Sequence, residues 1–184
     1  MPDTGFMSPD NMVSTASTFF SNLWITEGGG IIVFFATNGT QTVDGFENDG
    51  TLPGGSTITG AEVELQNTYV SSGTGTFDIQ LSINGGSSFS SSITSGTINT
   101  TTSADYTIGN SSQLWGLDWS GFSDLSQLQL KGLNGSTNIF ADHVRLKLYY
   151  GAASSVESVG SFKLETGAKL QIVSGKFLIN WYLY

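Results

Sequence analysis

Apolar and polar residues alternate at period two along several parts of the chain, the signature of strands that bury one face. Ala61, Val63 and Leu65 alternate with Glu62, Glu64 and Gln66. This predicts a strand with an apolar face inward and a carboxylate face turned to water or a partner. Phe77, Ile79, Leu81 and Ile83 alternate with Asp78, Gln80, Ser82 and Asn84, and Asn84-Gly85-Gly86 then supplies residues able to take positive φ in a hairpin turn. Phe140, Val144, Leu146, Leu148 and Tyr150 give a later strand, its apolar face broken by Asp142. Ile31 to Phe35 is a short continuous apolar run of β-branched and aromatic residues, which suits a buried strand closed by Asn38-Gly39. Thr15 to Trp24 holds a mixed signal with adjacent Phe19 and Phe20, read as a first strand. Tyr106 and Ile108 open another, and Ser87 to Ser103 reads as edge strands and a long loop.

The last nine residues behave differently. Phe177, Ile179, Trp181 and Leu183 fall on one side of a strand and Leu178, Tyr182 and Tyr184 on the other, with Asn180 the one polar interruption. Both faces are therefore apolar, and an uncovered strand of this kind is an aggregation hazard. It is either a central strand of its own domain or a strand covered by neighbouring subunits, which would link folding to assembly. The second reading is preferred and makes these seven residues the expected oligomer interface.

Composition agrees with an all-β chain. Gly supplies 24 of 184 residues and Pro only 3. Residues 1–14 read as an extended N-terminal arm, 15–150 as a sandwich, and 156–184 as a C-terminal β-region, with Gly151 to Ser155 a short linker. Two turn signals, Glu165-Thr166-Gly167 and Ser174-Gly175, flank Lys169 to Val173. With no Cys in the chain, packing and oligomerisation must replace disulfides, and thiolate metal sites are excluded. The start has neither the basic region nor the apolar core of a signal peptide, and no apolar run reaches membrane-spanning length. The expectation is a cytoplasmically made chain with no membrane partner, for which release inside a virus particle is one way out of a cell.

Charge is split along the chain. The first 130 residues hold 12 of the 15 acids and no base, and the last 54 hold all six Lys and Arg. This argues against nucleic-acid binding by the bulk of the domain, which needs clustered bases. It permits a basic end to dock on an acidic surface, including that of another copy, and reads equally well as a solvated surface whose asymmetry is accidental.

Candidate chemistry is sparse. Glu62 and Glu64 share a strand face, but a glycosidase pair needs one carboxyl desolvated in a cleft. Asp44, Glu47 and Asp49 lack the spacing of a calcium loop and read as a solvated turn. His143, the one histidine, has no nucleophile motif beside it and reads as a surface residue. Trp115 and Trp119 flank Gly116. Exposed, they would stack on sugar rings beside Asp105 and Asp118; buried, Trp115 pins the loop to the sandwich, the favoured reading. The expectation is a protein without catalytic residues, cofactor or metal.

Three segments together resemble the β-sandwich virion proteins of tailed bacteriophages: Leu52 to Leu65 (Leu-Pro-Gly-Gly-Ser-Thr-Ile-Thr-Gly-Ala-Glu-Val-Glu-Leu), Leu114 to Trp119, and Ala141 to Tyr150. The resemblance spans about residues 15–150. It implies a jelly-roll-like antiparallel sandwich in a capsid decoration (cement) protein or a tail component, located in the virion. The appended β-hairpin region then points to homo-oligomers, trimers, with the major capsid protein among the other partners. The alternative is a receptor- or carbohydrate-binding tail module using Trp115, Trp119 and Asp118.

Overall fold

A computed structural model describes residues 1–15, 33–35, 40–48, 50–70, 72–99, 102–134, 139–151, 169–173 and 176–180. The strand expected over Thr15 to Trp24, the Asn38-Gly39 turn and Trp181 to Tyr184 lie wholly or mostly outside these residues. The chain divides into two units, Met1–Ser154 and Ser155–Tyr184.

The first unit is an all-β sandwich of two antiparallel sheets. One contains β1 (Asn11–Thr15), β3 (Thr40–Asp44), β8 (Gln129–Asn134), β5 (Phe77–Ser82) and β6 (Ile93–Thr94), in that order. The other is built on β4 (Thr57–Val70), which lies between β7 (Ala104–Asn110) and the line formed by β9 (Ile139–Ala141) and β10 (His143–Gly151); β2 (Val33–Phe35) pairs with β9.

The alternation seen in the sequence becomes cross-strand layers. Val144, Leu146 and Leu148 stand opposite Leu65, Val63 and Ala61, and all six are buried. They share one core with Phe77, Ile79 and Leu81 of β5, Leu130 of β8 and Val43 of β3. Gly132 faces Ile79 across the β5–β8 ladder, and a Cβ there would run into Phe77 Cζ. The missing side chain is the space that the Phe77 ring fills.

β4 continues past Gln66, where its polar residues end the apolar alternation. Its pairing with β9 and β10 keeps one offset from Gly60↔Tyr149 to Val70↔Ile139, so that Asp142 stands opposite Asn67. On the β7 side the register slips between Leu65 and Thr68. Asn67 takes up the extra residue with φ of +48°. Its backbone N donates to Asp105 Oδ1 at 2.9 Å and its Nδ2 to Asp142 Oδ2 at 3.2 Å. Asparagine tolerates this left-handed conformation better than most residues, and a bulge is where a strand needs it.

The Ser-rich stretch after the Asn84-Gly85-Gly86 turn forms the far edge of the first sheet. There the hydroxyls of Ser90 and Ser95 accept from the backbone N of Leu81 and Phe77, at 2.9 and 3.0 Å. Side chains thus complete the ladder at both ends of two-residue β6.

Residues 1–10 are extended and docked. Met7 is fully buried and bridges to Leu146, Asp3 bridges to Tyr149, and Asp10 N donates to Asp44 O in the opposite sheet. The segment therefore follows the outer edge of β10 and then crosses to β1.

The second unit contains an antiparallel pair, β11 (Lys169–Val173) and β12 (Lys176–Asn180).

Candidate functional site

Three places carry the residues singled out from the sequence. The first is the tryptophan loop. Trp115 has φ of +59°, an uncommon conformation for a bulky side chain, and is 2 % exposed. Its Nε1 donates to Ala61 O at 2.9 Å, and its ring packs on Gly109, where a Cβ would lie 3.1 Å from Cζ2. Trp119 is 6 % exposed, donates through Nε1 to Leu114 O, and meets the Phe122 ring edge-on at 5.2 Å between centroids. Neither indole offers a face for sugar stacking; Trp115 fastens the loop to β4 through a bond that fixes its strained backbone.

Asp118 is exposed, as is Asp124 on the next turn. With Ile83, Phe122 and Gln127 they line a shallow depression of about 260 Å³. Hydrogen bonds from the Ser120 backbone and hydroxyl hold the Asp118 carboxyl below its ordinary range. The hydroxyl and backbone of Ser126 do the same for Asp124, which caps the short 3₁₀ turn Leu125–Gln127. Both are anionic at neutral pH. Among the described residues no three His, Cys, Asp or Glu side chains are grouped to hold a metal ion.

The second place is the outer face of β4 and β10. Register sets Glu62 opposite Lys147 and Glu64 opposite Arg145. Arg145 Nη2 lies 2.7 Å from Glu64 Oε1, Lys147 Nζ 3.2 Å from Glu62 Oε1, and Tyr149 Oη donates to Glu62 Oε2 at 3.0 Å. Phe6 of the N-terminal segment lies over both cations, 4.6 Å from Arg145 Cζ and 4.1 Å from Lys147 Nζ. Burial by itself would lower the Lys147 pKa. Its hydrogen bonds to Tyr149 and Glu62, with the charge of Glu62, outweigh that and raise it.

The carboxylate face of β4 thus meets cations of its own chain, and these two bases are not spare charges for docking. Phe6 gave no periodic signal in the sequence; the two residues it covers were visible only as cations. His143, expected at the surface, is 1 % exposed, with Nδ1 3.2 Å from Gln66 Oε1. Its place opposite Gln66 continues the Glu62–Lys147 and Glu64–Arg145 layers, so the polar face of a strand is buried here.

The third place is the terminal hairpin. Phe177, Leu178 and Ile179 belong to β12. The pairs Leu170↔Ile179 and Ile172↔Phe177 put four apolar residues on one face. The pairs Lys169↔Asn180, Gln171↔Leu178 and Val173↔Lys176 make the other face mixed. Over this hairpin the pattern is one-sided, because β11 contributes Lys169 and Gln171 beside Leu178.

No protein family, curated protein or solved structure matches the chain.

Proposed function

We propose that the protein is a non-enzymatic structural component of a virion, a capsid decoration (cement) subunit that acts as a homo-oligomer, a trimer, on the major capsid protein. The observation that carries this reading is the terminal hairpin. Two strands place Leu170, Ile172, Phe177 and Ile179 on one face, and a two-stranded sheet by itself is marginally stable in water. Sister hairpins packed about a symmetry axis would give that face cover and tie the stability of each copy to assembly.

The sandwich supports the same reading from another side. Its loop tryptophans and its carboxylate ladder are engaged in holding the fold, as suits a rigid block that packs on neighbours. The tail-module alternative loses its proposed stacking platform with the burial of Trp115 and Trp119.

Deleting Lys176 to Tyr184 should abolish the oligomer in sedimentation velocity while the sandwich keeps its circular dichroism. Full-length protein should bind isolated capsid shells saturably and should not bind arrayed glycans. An unchanged mass after the deletion defeats the oligomer reading, and glycan binding without shell binding defeats decoration.

A further inference from the structure

The edge strand of a sheet exposes a row of backbone groups that invites another strand, and proteins cover or shorten such edges. Two edges of this sandwich are treated in that way. The outer edge of β10 takes the N-terminal segment, Met7 N donating to Leu146 O at 2.7 Å and Leu146 N to Met7 O at 2.9 Å, and β6 is only two residues long. β7 is different. It runs for seven residues, pairs with β4 alone, and contains neither Lys nor Pro.

The register tells which of its groups face outward. Ala61 N donates to Gln113 O and Ala61 O accepts from Trp115 Nε1, so Ala61, and by alternation Val63 and Leu65, turn their backbone groups toward β7. Their partners Ile108 and Tyr106 point back at β4. Asp105 and Thr107 therefore direct N–H and C=O away from that ladder, and both residues are exposed. Among the described residues no backbone hydrogen bond reaches these outward groups.

We propose that the open edge of β7 docks the β7 of a second copy, the two strands running antiparallel about a two-fold axis at Tyr106. The strand is self-complementary in that register. Asp105 of each copy stands opposite Thr107 of the other, both with their backbone groups turned to the partner, and such pairs exchange both of their hydrogen bonds. On the face toward the core Tyr106 meets Tyr106 and Ala104 meets Ile108, an aromatic pair flanked by apolar ones. Moving the axis to Asp105 would set two carboxylates opposite each other, a destabilising arrangement. Moving it to Thr107 would bring in Gly109, whose φ of +88° turns its backbone out of line. The contact goes beyond the function proposed above, because it belongs to the sandwich and needs no terminal hairpin.

Full-length protein tests this in three ways. The chain has no Cys, so Tyr106→Cys carries one thiol. At the axis the two copies of residue 106 form a non-hydrogen-bonded pair with Cα atoms about 4.5 Å apart, within disulfide reach, and mild oxidation should link chains in twos. Thr107→Pro removes an outward N–H and no bond of the β4 ladder, a place where an edge strand accepts proline. It should weaken self-association about thirty-fold, the loss of two hydrogen bonds, in sedimentation equilibrium. In the wild type, hydrogen exchange at the Thr107 amide should slow as protein concentration rises. Copies of net charge −9 repel one another, so added salt should strengthen the association. Unprotected exchange at Thr107 at every concentration, with no disulfide from Tyr106→Cys, overturns the β7 contact and leaves the hairpin reading standing. Linked chains and a slowed Thr107 amide in a protein that never exceeds two copies uphold the contact and defeat the trimer.

Discussion

Trp115 Nε1 and Ala61 O lie 2.9 Å apart, joining a loop residue to β4, the longest of the described strands, across 54 positions of sequence. The bond is buried, and Gly109 leaves the space in which the ring lies. Trp115→Phe keeps much of the ring but strands the carbonyl. It should lower stability by about 1–3 kcal/mol, and Trp115→Ala by about 3–5 kcal/mol, measured by urea unfolding. A midpoint equal to that of the wild type would mean that the loop is not anchored there.

Gln41 is 1 % exposed on β3, and its Oε1 has no hydrogen-bond partner among the described residues. Methionine has a similar shape and no amide to desolvate. Gln41→Met should raise stability by about 1 kcal/mol, seen as a higher urea midpoint with an unchanged slope. A loss of stability would reveal a bond at that amide that the residue needs.

Gly132 and Phe77 are complementary in volume. Gly132→Ala should cost about 1–3 kcal/mol through overpacking. Combined with Phe77→Leu the penalty of the alanine should shrink, because the smaller side chain vacates the ring position. A double-mutant cycle reads this coupling directly, and strict additivity would place the clash elsewhere.

Lys147 gives the fold an alkaline limit. Its folded-state pKa is raised above the ordinary lysine value by Tyr149 and Glu62 despite partial desolvation. The stabilisation is fully present below the unfolded pKa and is lost as pH rises through the folded one. Glu62→Gln removes the charge that helps hold the proton, so the variant's stability should fall less steeply above pH 10.5, the ordinary lysine value, in parallel denaturant titrations. Identical alkaline slopes would show that the ion pair is not linked to folding.

How far the fold could be read from the chain depended on which side of a strand was buried. β5 and the first half of β4 announce themselves because one face meets the core and the other meets water or charge. Gln66, Asn67 and Thr68 conceal the rest of β4, since a bulge breaks period two at the point where the strand continues. β3 is hidden for a related reason: Gln41 and Thr42 are polar yet buried. His143 misled because alternation tells which residues share a face, and does not tell whether that face is covered. At Trp115 burial was already the favoured reading over an exposed stacking platform, and the bond to a carbonyl on a distant strand agrees with it. In the terminal region β11 sets Gln171 opposite Leu178, a pairing that β12 alone does not reveal, and Trp181 to Tyr184 lie outside the described residues.

The bond from Tyr150 N to Pro2 O sets the N-terminal segment beside β10, the last strand of the sandwich. A pulling force applied between residues 1 and 151 would act on that end of the seam and break its bonds one after another, as a zipper opens, at low load. A force entering through the middle of β4 would instead have to shear two ladders at once. The sandwich is therefore mechanically directional, yielding at its edge long before its centre.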